Sequence, residues 1–493
     1  MTLPFNTLIP IERPSHLPVY IQVSNGLVNL IRDGKITPGT FLPGTREMAE
    51  LLSIHRKTTI NAYDELAAQG WIEALPRKGF RVVPDLPIVK PRTFKPKNNF
   101  PAAPAILPEL LALPALVRPG AVSAYSEDDL VVDDGFPDTQ LTPYSSFLQL
   151  YRQQLQLGQP QKAWLNKDEG GLMHLRSSSA GFLNQTRGLN ITEERLMITR
   201  GAQMAIYITA ALLIRPGDNV IVSEPNYFMA DHIFQSMGAV IHRVPVDQEG
   251  MDTDRLAALL QTGSFRLLYV IPHHHHPTTV TMSSARRMHL LNLIKQHQLW
   301  VIEDDYDYDF HYRNNPILPL ASAEHEGRII YIGSYTKLLG PSFRIGYLVA
   351  ARQIVEQAIK YRRLMDIRGD FMMESALATL IDNGALGRHI KRSKKIYATR
   401  MELAAGLIAG TLPHAIHFNK PQGGMALWLK FREDYPLARI LAKAPSRKLH
   451  LTGSAYFEGH NSDYNSLRFG FASLPADQLK NAITTLAAVI AGS

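Results

Sequence analysis

Between Pro84 and Pro119, nine prolines fall within 36 residues (PDLPIVKPRTFKPKNNFPAAPAILPELLALPALVRP). Each proline lacks a backbone N–H and holds φ at about −65°, so neither a helix nor a sheet ladder runs through such a stretch. The chain therefore reads as two folded parts joined by an extended, semi-rigid spacer over 85–127. At about 150 residues per domain, 493 residues allow two to four units. Two suffice, over 14–84 and 128–493.

With 45% hydrophobic and 19% charged residues, the composition is that of an ordinary globular protein, without low-complexity segments or repeats. The opening MTLPFNTLIPIERPSH lacks a basic region followed by an apolar one. No apolar run approaches the roughly eighteen residues that cross a bilayer. No membrane partner is expected, and the cytoplasm is the expected location. Zero cysteines exclude disulfides, iron–sulfur clusters and thiol chemistry. The net charge of +8 is uneven, because residues 1–97 hold 13 Lys/Arg against 8 Asp/Glu. That asymmetry points to a polyanionic partner for the N-terminal part.

In that part, Val19–Ile31 has apolar residues at helical spacing, and Gly34 stands where a helix end favours positive φ. Thr45–Leu52 reads as a short second helix with Thr45 as N-cap, and residues 54–70 as a third, closed by Gly70. Two strand-like runs, WIEAL and FRVV, flank PRKG as a hairpin. Three helices and a hairpin make a winged helix-turn-helix. The third helix opens with His55-Arg56-Lys57-Thr58-Thr59, so base- and phosphate-reaching donors fill the turn that enters a major groove. Arg56 is suited to guanine, Lys57, Thr58 and Thr59 to phosphates, and Arg46 to the same groove or its backbone. Arg77, Lys78 and Gly79 at the hairpin tip are placed to follow a phosphate strand or enter the minor groove. Ile60, Tyr63 and Leu66 are expected to pack inward. With Pro18-Val19-Tyr20, Leu42-Pro43-Gly44-Thr45-Arg46-Glu47 and Gly70-Trp71-Ile72, this pattern resembles the GntR family of bacterial repressors. The resemblance implies operator contacts by Arg46, Arg56 and Gly79. It also implies that a recognition-helix arginine of some members is replaced here by Ile60.

After the spacer, β-rich runs (RLMIT, NVIVSE, AVIHRVPV, RLLYVIP, LWVIEDDY, RIIYIGS, RIGYLVA) alternate with helical patterns such as Ser284–Gln298. Such alternation predicts an α/β domain with a mainly parallel sheet and functional groups at the strands' carboxyl ends. Ser334-Tyr335-Thr336-Lys337, followed by Arg344, supplies the chemistry pyridoxal 5′-phosphate needs. A lysine amine condenses with the aldehyde to give an internal aldimine, while Ser334, Thr336 and Arg344 offer donors to the phosphate. Asp304 is placed to keep the pyridine nitrogen protonated, and Tyr306 to donate to the phenolic oxygen. Gly201-Ala202-Gln203 opens a helix whose free N–H groups cradle phosphate. Tyr227, in EPNY, is suited to stacking on the ring, with a core tyrosine as the alternative.

These blocks, in this order, resemble fold-type I aminotransferases, and the fusion resembles the MocR-type subfamily of GntR regulators. The resemblance implies that Lys337 carries the cofactor, that Asp304 and Tyr306 bind its ring, and that Arg344 binds its phosphate. It further implies that Arg468, in LRFGFA, receives the carboxylate of an amino-acid ligand. His275, in PHHHHPTT, stands where the family has Gln or Asn, so the contact to the phenolic oxygen differs. The four histidines also invite a metal reading, which their differing directions along the chain oppose, and no metal is expected. Met229 replaces a second ligand-binding arginine of some members, which argues against a dicarboxylate or ω-amino acid. The expectation is a homodimeric regulator of double-stranded operator DNA that senses pyridoxal phosphate or a small amino compound. The alternative is an active aminotransferase with an appended DNA-binding domain. Residue types alone permit transamination, whereas the family likeness argues against efficient turnover.

Overall fold

The computed structural model describes all residues except 1–2, 14, 16, 77, 87–124, 127, 157–167, 313–316, 453–463 and 493. Two compact units emerge, Met1–Leu110 and Leu111–Ser493. Most of the Pro-rich spacer, and Arg77 at the expected hairpin tip, lie outside the described residues. No helix among the described residues is long and apolar enough to cross a membrane.

The first unit holds α1 (Phe5–Leu8), α2 (Val19–Arg32), α3 (Thr45–Leu51), α4 (Arg56–Ala68) and an antiparallel hairpin of β1 (Ile72–Leu75) and β2 (Gly79–Val82). Val23, Leu27 and Leu30 of α2 meet Met48 of α3, Tyr63 and Leu66 of α4, and Ile72 and Val82 of the hairpin in one core. The Tyr63 hydroxyl donates to Pro43 O at 2.8 Å, which ties α4 to the turn before α3. At the hairpin tip Leu75 pairs with Gly79, whose φ of 97° favours glycine. Two expectations change here. Thr45 is the first residue of α3 rather than its cap: Gly44 takes the cap position, with no side-chain bond. Thr59, expected among the phosphate-facing donors, is fully buried. It falls on the stripe formed with Ala62, Tyr63 and Leu66, which the helical repeat turns toward the core.

The second unit is built on an eight-stranded sheet in the order β4-β11-β10-β9-β8-β5-β6-β7. Its strands are β4 (Leu196–Thr199), β5 (Asn219–Glu224), β6 (Val240–Asp247), β7 (Gly250–Met251), β8 (Leu267–Val270), β9 (Trp300–Asp305), β10 (Ile329–Ser334) and β11 (Gly346–Val349). Neighbours from β10 through β6 pair in parallel, whereas β11 runs antiparallel to both of its neighbours and β7 antiparallel to β6. Side chains alternate between faces. Val220, Leu267, Ile302 and Ile330 pack on one side with α7 (Ala202–Leu213), α8 (Phe228–Ser236) and α12 (Arg352–Met365). Ile221, Leu268, Val301 and Ile329 pack on the other with α9 (Thr253–Leu260) and α10 (Ser284–His297). Burial on both faces explains why the central strands read as continuous Val/Ile/Leu runs.

A second layer carries the antiparallel sheet β12 (Ile416–His417), β13 (Ala426–Phe431) and β15 (Ser466–Gly470), packed with α14 (Ala385–Thr411) and α16 (Ala476–Ala491). In the same unit β3 (Leu130–Val132) pairs in parallel with β14 (Leu449–Leu451). That pairing leads the chain after β3, Asp133 to Phe136, toward the carboxyl edge of the large sheet.

Candidate functional site

Five of the motif segments leave the large sheet at its carboxyl edge: Gly201 follows β4, Tyr227 follows β5, the histidines follow β8, Asp304 is the last residue but one of β9 and Lys337 follows β10. In a parallel sheet, this edge is where ligand sites form. Lys337 sits in α11 (Thr336–Leu339), and its Nζ donates to Gly135 O at 2.8 Å, 4.0 Å above the Phe136 ring and 5.8 Å from that of Tyr306. Burial lowers the pKa of this ammonium, against the opposing pull of Asp134, and so favours the neutral, nucleophilic amine.

β9 delivers three acids, and strand alternation separates them. Glu303 accepts from the Leu320 and Ala321 N–H groups, both at 2.8 Å, and Asp305 accepts from the Tyr331 hydroxyl at 2.7 Å. Asp304 Oδ2 accepts from the Tyr269 hydroxyl at 2.6 Å, while its Oδ1 is buried with no hydrogen-bond partner. Burial pushes the Asp304 carboxyl up to about 6, against the Tyr269 bond.

At the sheet edge nearest β4, Gly201 has φ 81° and starts α7, and a Cβ there would stand 3.1 Å from the Arg344 guanidinium. Arg344 donates to Arg200 O at 3.3 Å and is otherwise exposed, beside the N-terminal residues Ala202 and Gln203. The Ser334 hydroxyl accepts from Thr336 N at 3.1 Å and donates to Ile345 O at 3.3 Å. Thr336 Oγ1 donates to Phe343 O at 2.9 Å, which spends its one proton on bracing the loop that carries Arg344.

The Tyr306 hydroxyl donates to His274 O at 2.7 Å and accepts from Arg468 at 3.1 Å. Arg468 is buried, and its Nε and Nη1 donate to the main-chain oxygens of Asp134 at 2.6 Å and Pro277 at 3.0 Å. The four histidines take four directions. His273 meets Ile317 O at 2.5 Å, His274 Nδ1 lies 2.8 Å from Asp307, His275 Nδ1 lies 2.9 Å from Thr278 Oγ1, and His276 Nε2 lies 3.6 Å from Asp134. Among the described residues no group of three or more His, Cys, Asp or Glu is arranged to hold a metal ion. Burial pulls His275 down to about 3 and His276 down to about 4, so both imidazoles are neutral near pH 7. His275 Nε2 is buried without a partner.

His276 faces the Tyr227 ring at 5.4 Å and the Tyr306 ring at 6.1 Å, both edge-on. His276, Asp134, Gly135, Phe136 and Tyr269 are site residues that sequence reasoning missed, although the doubled acid in VDDGFPD marked one of them. Asp134 departs from ordinary aspartate behaviour. Burial opposes its ionisation, but the hydrogen bond from His276 and the nearby cationic groups of Lys337 and Arg468 outweigh that and hold it below the usual carboxylate range.

These residues fit pyridoxal phosphate on chemical grounds. A buried acceptor, Asp304 Oδ1, lacks a donor, and a cradle at Gly201 that a Cβ would fill lies beside a largely exposed arginine.

In the first unit, Arg46, Arg56, Lys57 and Lys78 are exposed, Thr58 is half-buried, and Gly79 is exposed at the hairpin tip. His55 caps α4, its Nδ1 accepting from Lys57 N at 3.2 Å.

Residues 152–486 match the aminotransferase class I and II family, and residues 19–82 match the gntR family of bacterial regulatory proteins. The probable rhizopine catabolism regulatory protein MocR of Rhizobium meliloti is 25% identical over 97% of this chain and 95% of its own. The pyridoxine biosynthesis transcriptional regulator PdxR of Corynebacterium glutamicum is 26% identical over 96% of both. Among solved structures, kynurenine aminotransferase of Pyrococcus horikoshii covers 74% of this chain and 92% of its own at 26% identity, with a TM-score of 0.68. The match to that enzyme takes in only part of the chain, whereas the regulators align along nearly all of it. A gntR-type head and an aminotransferase class I and II body in one chain, matched almost end to end by regulators of the same build, place this protein among the MocR-type regulators of the GntR family.

Proposed function

We propose that this regulator reads double-stranded operator DNA through residues 14–84 and senses pyridoxal 5′-phosphate, or a small amino compound meeting it, through residues 128–493, with 85–127 as the spacer. The observation that carries the sensing half is the convergence of a buried lysine amine, a carboxylate with one unanswered oxygen and a guanidinium over a glycine cradle on the carboxyl ends of neighbouring strands.

Bound pyridoxal phosphate supplies an aldehyde that reacts reversibly with primary amines. Lys337 presents the protein's own amine to it, and burial disfavours that amine's charged form. Asp304 Oδ1 accepts from the ring nitrogen. Arg344, with the N–H groups of Ala202 and Gln203 after Gly201, holds the phosphate, and Ser334 and Thr336, whose hydroxyl protons go to Ile345 O and Phe343 O, brace the loop that presents the arginine. Tyr227 covers the ring, Tyr306 and His275 serve its phenolic oxygen, and Arg468 faces the effector. On the DNA side, Arg46 and Arg56 contact bases, Lys57 and Thr58 contact phosphates, and Arg77, Lys78 and Gly79 follow the strand at the wing.

Leu364, Met365 and Ile367 expose apolar surface within four residues at the end of α12, and we assign that surface to a homodimer. The cytoplasm is the compartment this function requires.

Absorbance tests the cofactor half. Full-length protein incubated with pyridoxal phosphate and desalted retains a near-visible band, and Lys337→Ala loses it. A band of equal intensity in Lys337→Ala contradicts the assignment.

A further inference from the structure

We propose that α14 is a second DNA-contacting surface, on which Arg388, Lys391, Arg392 and Lys395 hold phosphates of the duplex flanking the site read by the N-terminal unit. The inference rests on the operator-binding reading above and adds to it a surface of the aminotransferase-like unit.

The two sides of α14 differ in kind. Leu386, His389, Ser393, Tyr397 and Met401 are buried along one of them. At 3.6 residues per turn, Arg388, Lys391, Arg392 and Lys395 fall on the opposite side within an arc of about 100°, and all four are exposed. No aspartate or glutamate stands between Ala385 and Arg400 to interrupt them. Spacings of three and four set these cations side by side, where like charges repel and weaken a helix. The ion pairs of α14 among the described residues lie outside the stripe, joining Arg400 to Asp138 at 2.8 Å and Glu402 to Lys420. Arg388 donates to Asn383 O at 3.1 Å, whereas the side chains of Lys391, Arg392 and Lys395 meet no hydrogen-bond or ion-pair partner among the described residues.

This charge is local. Residues 98–493 carry a net charge of only +3, since the first 97 account for +5 of the +8. A nearly balanced unit that gathers four cations without a counter-ion on one helical face offers a polyanion one defined place to lie. Duplex DNA is the polyanion that the gntR-type unit brings to this chain. From Arg388 to Lys395 the helix rises about 10 Å, which faces about six phosphates of a duplex carrying one charge per about 1.7 Å of its axis. Contacts of this kind add affinity and fix position without reading bases.

Full-length protein is titrated by gel shift, at several salt concentrations, with a long duplex from the region upstream of its own gene, and hydroxyl-radical footprints are taken on the same duplex. The triple variant Lys391→Ala, Arg392→Ala, Lys395→Ala is expected to bind at least tenfold more weakly at low salt, with the slope of log K against log salt reduced by about 2. Its footprint should keep the core protection that Arg56→Ala abolishes and lose protection in the flanks. The variant Lys391→Arg, Arg392→Lys, Lys395→Arg conserves every charge and should keep the wild-type affinity and slope. Lys360→Ala, Lys430→Ala, Lys480→Ala removes equal charge from exposed positions elsewhere in the same unit and should change affinity less than threefold. A wild-type slope and footprint in the first triple variant overturns the inference, as does an equal loss in the Lys360, Lys430 and Lys480 variant or a loss in the charge-conserving one. These outcomes leave the operator-binding reading standing. A wild-type protein that binds no duplex overturns both together.

Discussion

Asp304 holds one oxygen on Tyr269 and buries the other without a donor, an arrangement that costs free energy until a donor arrives. Its carboxyl is raised to about 6 from the usual 3.8. A raised carboxyl stabilises the fold below its unfolded pKa, where it is neutral, and loses that contribution as pH climbs through 6. Cofactor-free Asp304→Asn, neutral throughout, should therefore be more stable than wild type near pH 8 by on the order of 2–3 kcal/mol, and the two should converge below about pH 4. Denaturant melts across that range check this, and a pH-independent difference contradicts it. Thr59 gives a second test at this scale. Its hydroxyl is buried with no partner, so Thr59→Val should leave DNA affinity unchanged and hold or raise stability by up to about 1 kcal/mol. A tenfold loss of DNA affinity would return Thr59 to the interface. Lys337, Asp304 and Arg344 were legible because each is a residue type the cofactor demands, next to a strand signal. Asp134 and His276 were not, because their importance arises from β3 and β8 delivering distant segments to one place, and no local pattern encodes that meeting.

At the scale of elements, the junction of β4 and α7 depends on Gly201. Its φ of 81° favours glycine, and a Cβ would stand 3.1 Å from Arg344. Gly201→Ala should cost about 1–2 kcal/mol of stability through backbone strain. It should also weaken pyridoxal phosphate at least tenfold by moving the arginine. Pyridoxal, without the phosphate, should bind both proteins alike in a fluorescence titration, and an equal loss for both ligands would place the damage elsewhere. The alternation of β-rich runs and helices was plain in the sequence, because strands buried on both faces are continuous apolar runs. The order of strands was not, since β11 enters antiparallel between β4 and β10 through pairings that no sequence pattern states. In the first unit the three helices were read, whereas α1 was not. Four residues are too few to show a period, and the segment is seated by Ile9 against Gly26, where a Cβ would stand 2.6 Å from the isoleucine.

For the whole molecule, the prolines announced two parts and the excess of lysine and arginine over residues 1–97 pointed to an anionic partner. The exposed Leu364, Met365 and Ile367 carried no such signal, because an apolar side chain reads the same whether its own chain or a second copy covers it. Regulation by such a chain requires that the cofactor pocket govern the DNA-binding head. Differential affinity is what such coupling requires, so a ligand that acts must bind the two DNA-binding states unequally. The direct measurement is fluorescence anisotropy of a duplex from the region upstream of the protein's own gene. It is titrated with the full-length protein at several salt concentrations, with and without pyridoxal phosphate and then with a small primary amine. Binding is expected to fall steeply with salt, to weaken at least tenfold in Arg56→Ala, and to shift at least threefold on loading the cofactor or adding the amine. Affinity equal to that for unrelated DNA, or indifferent both to Arg56→Ala and to the occupancy of the Lys337 pocket, would contradict it.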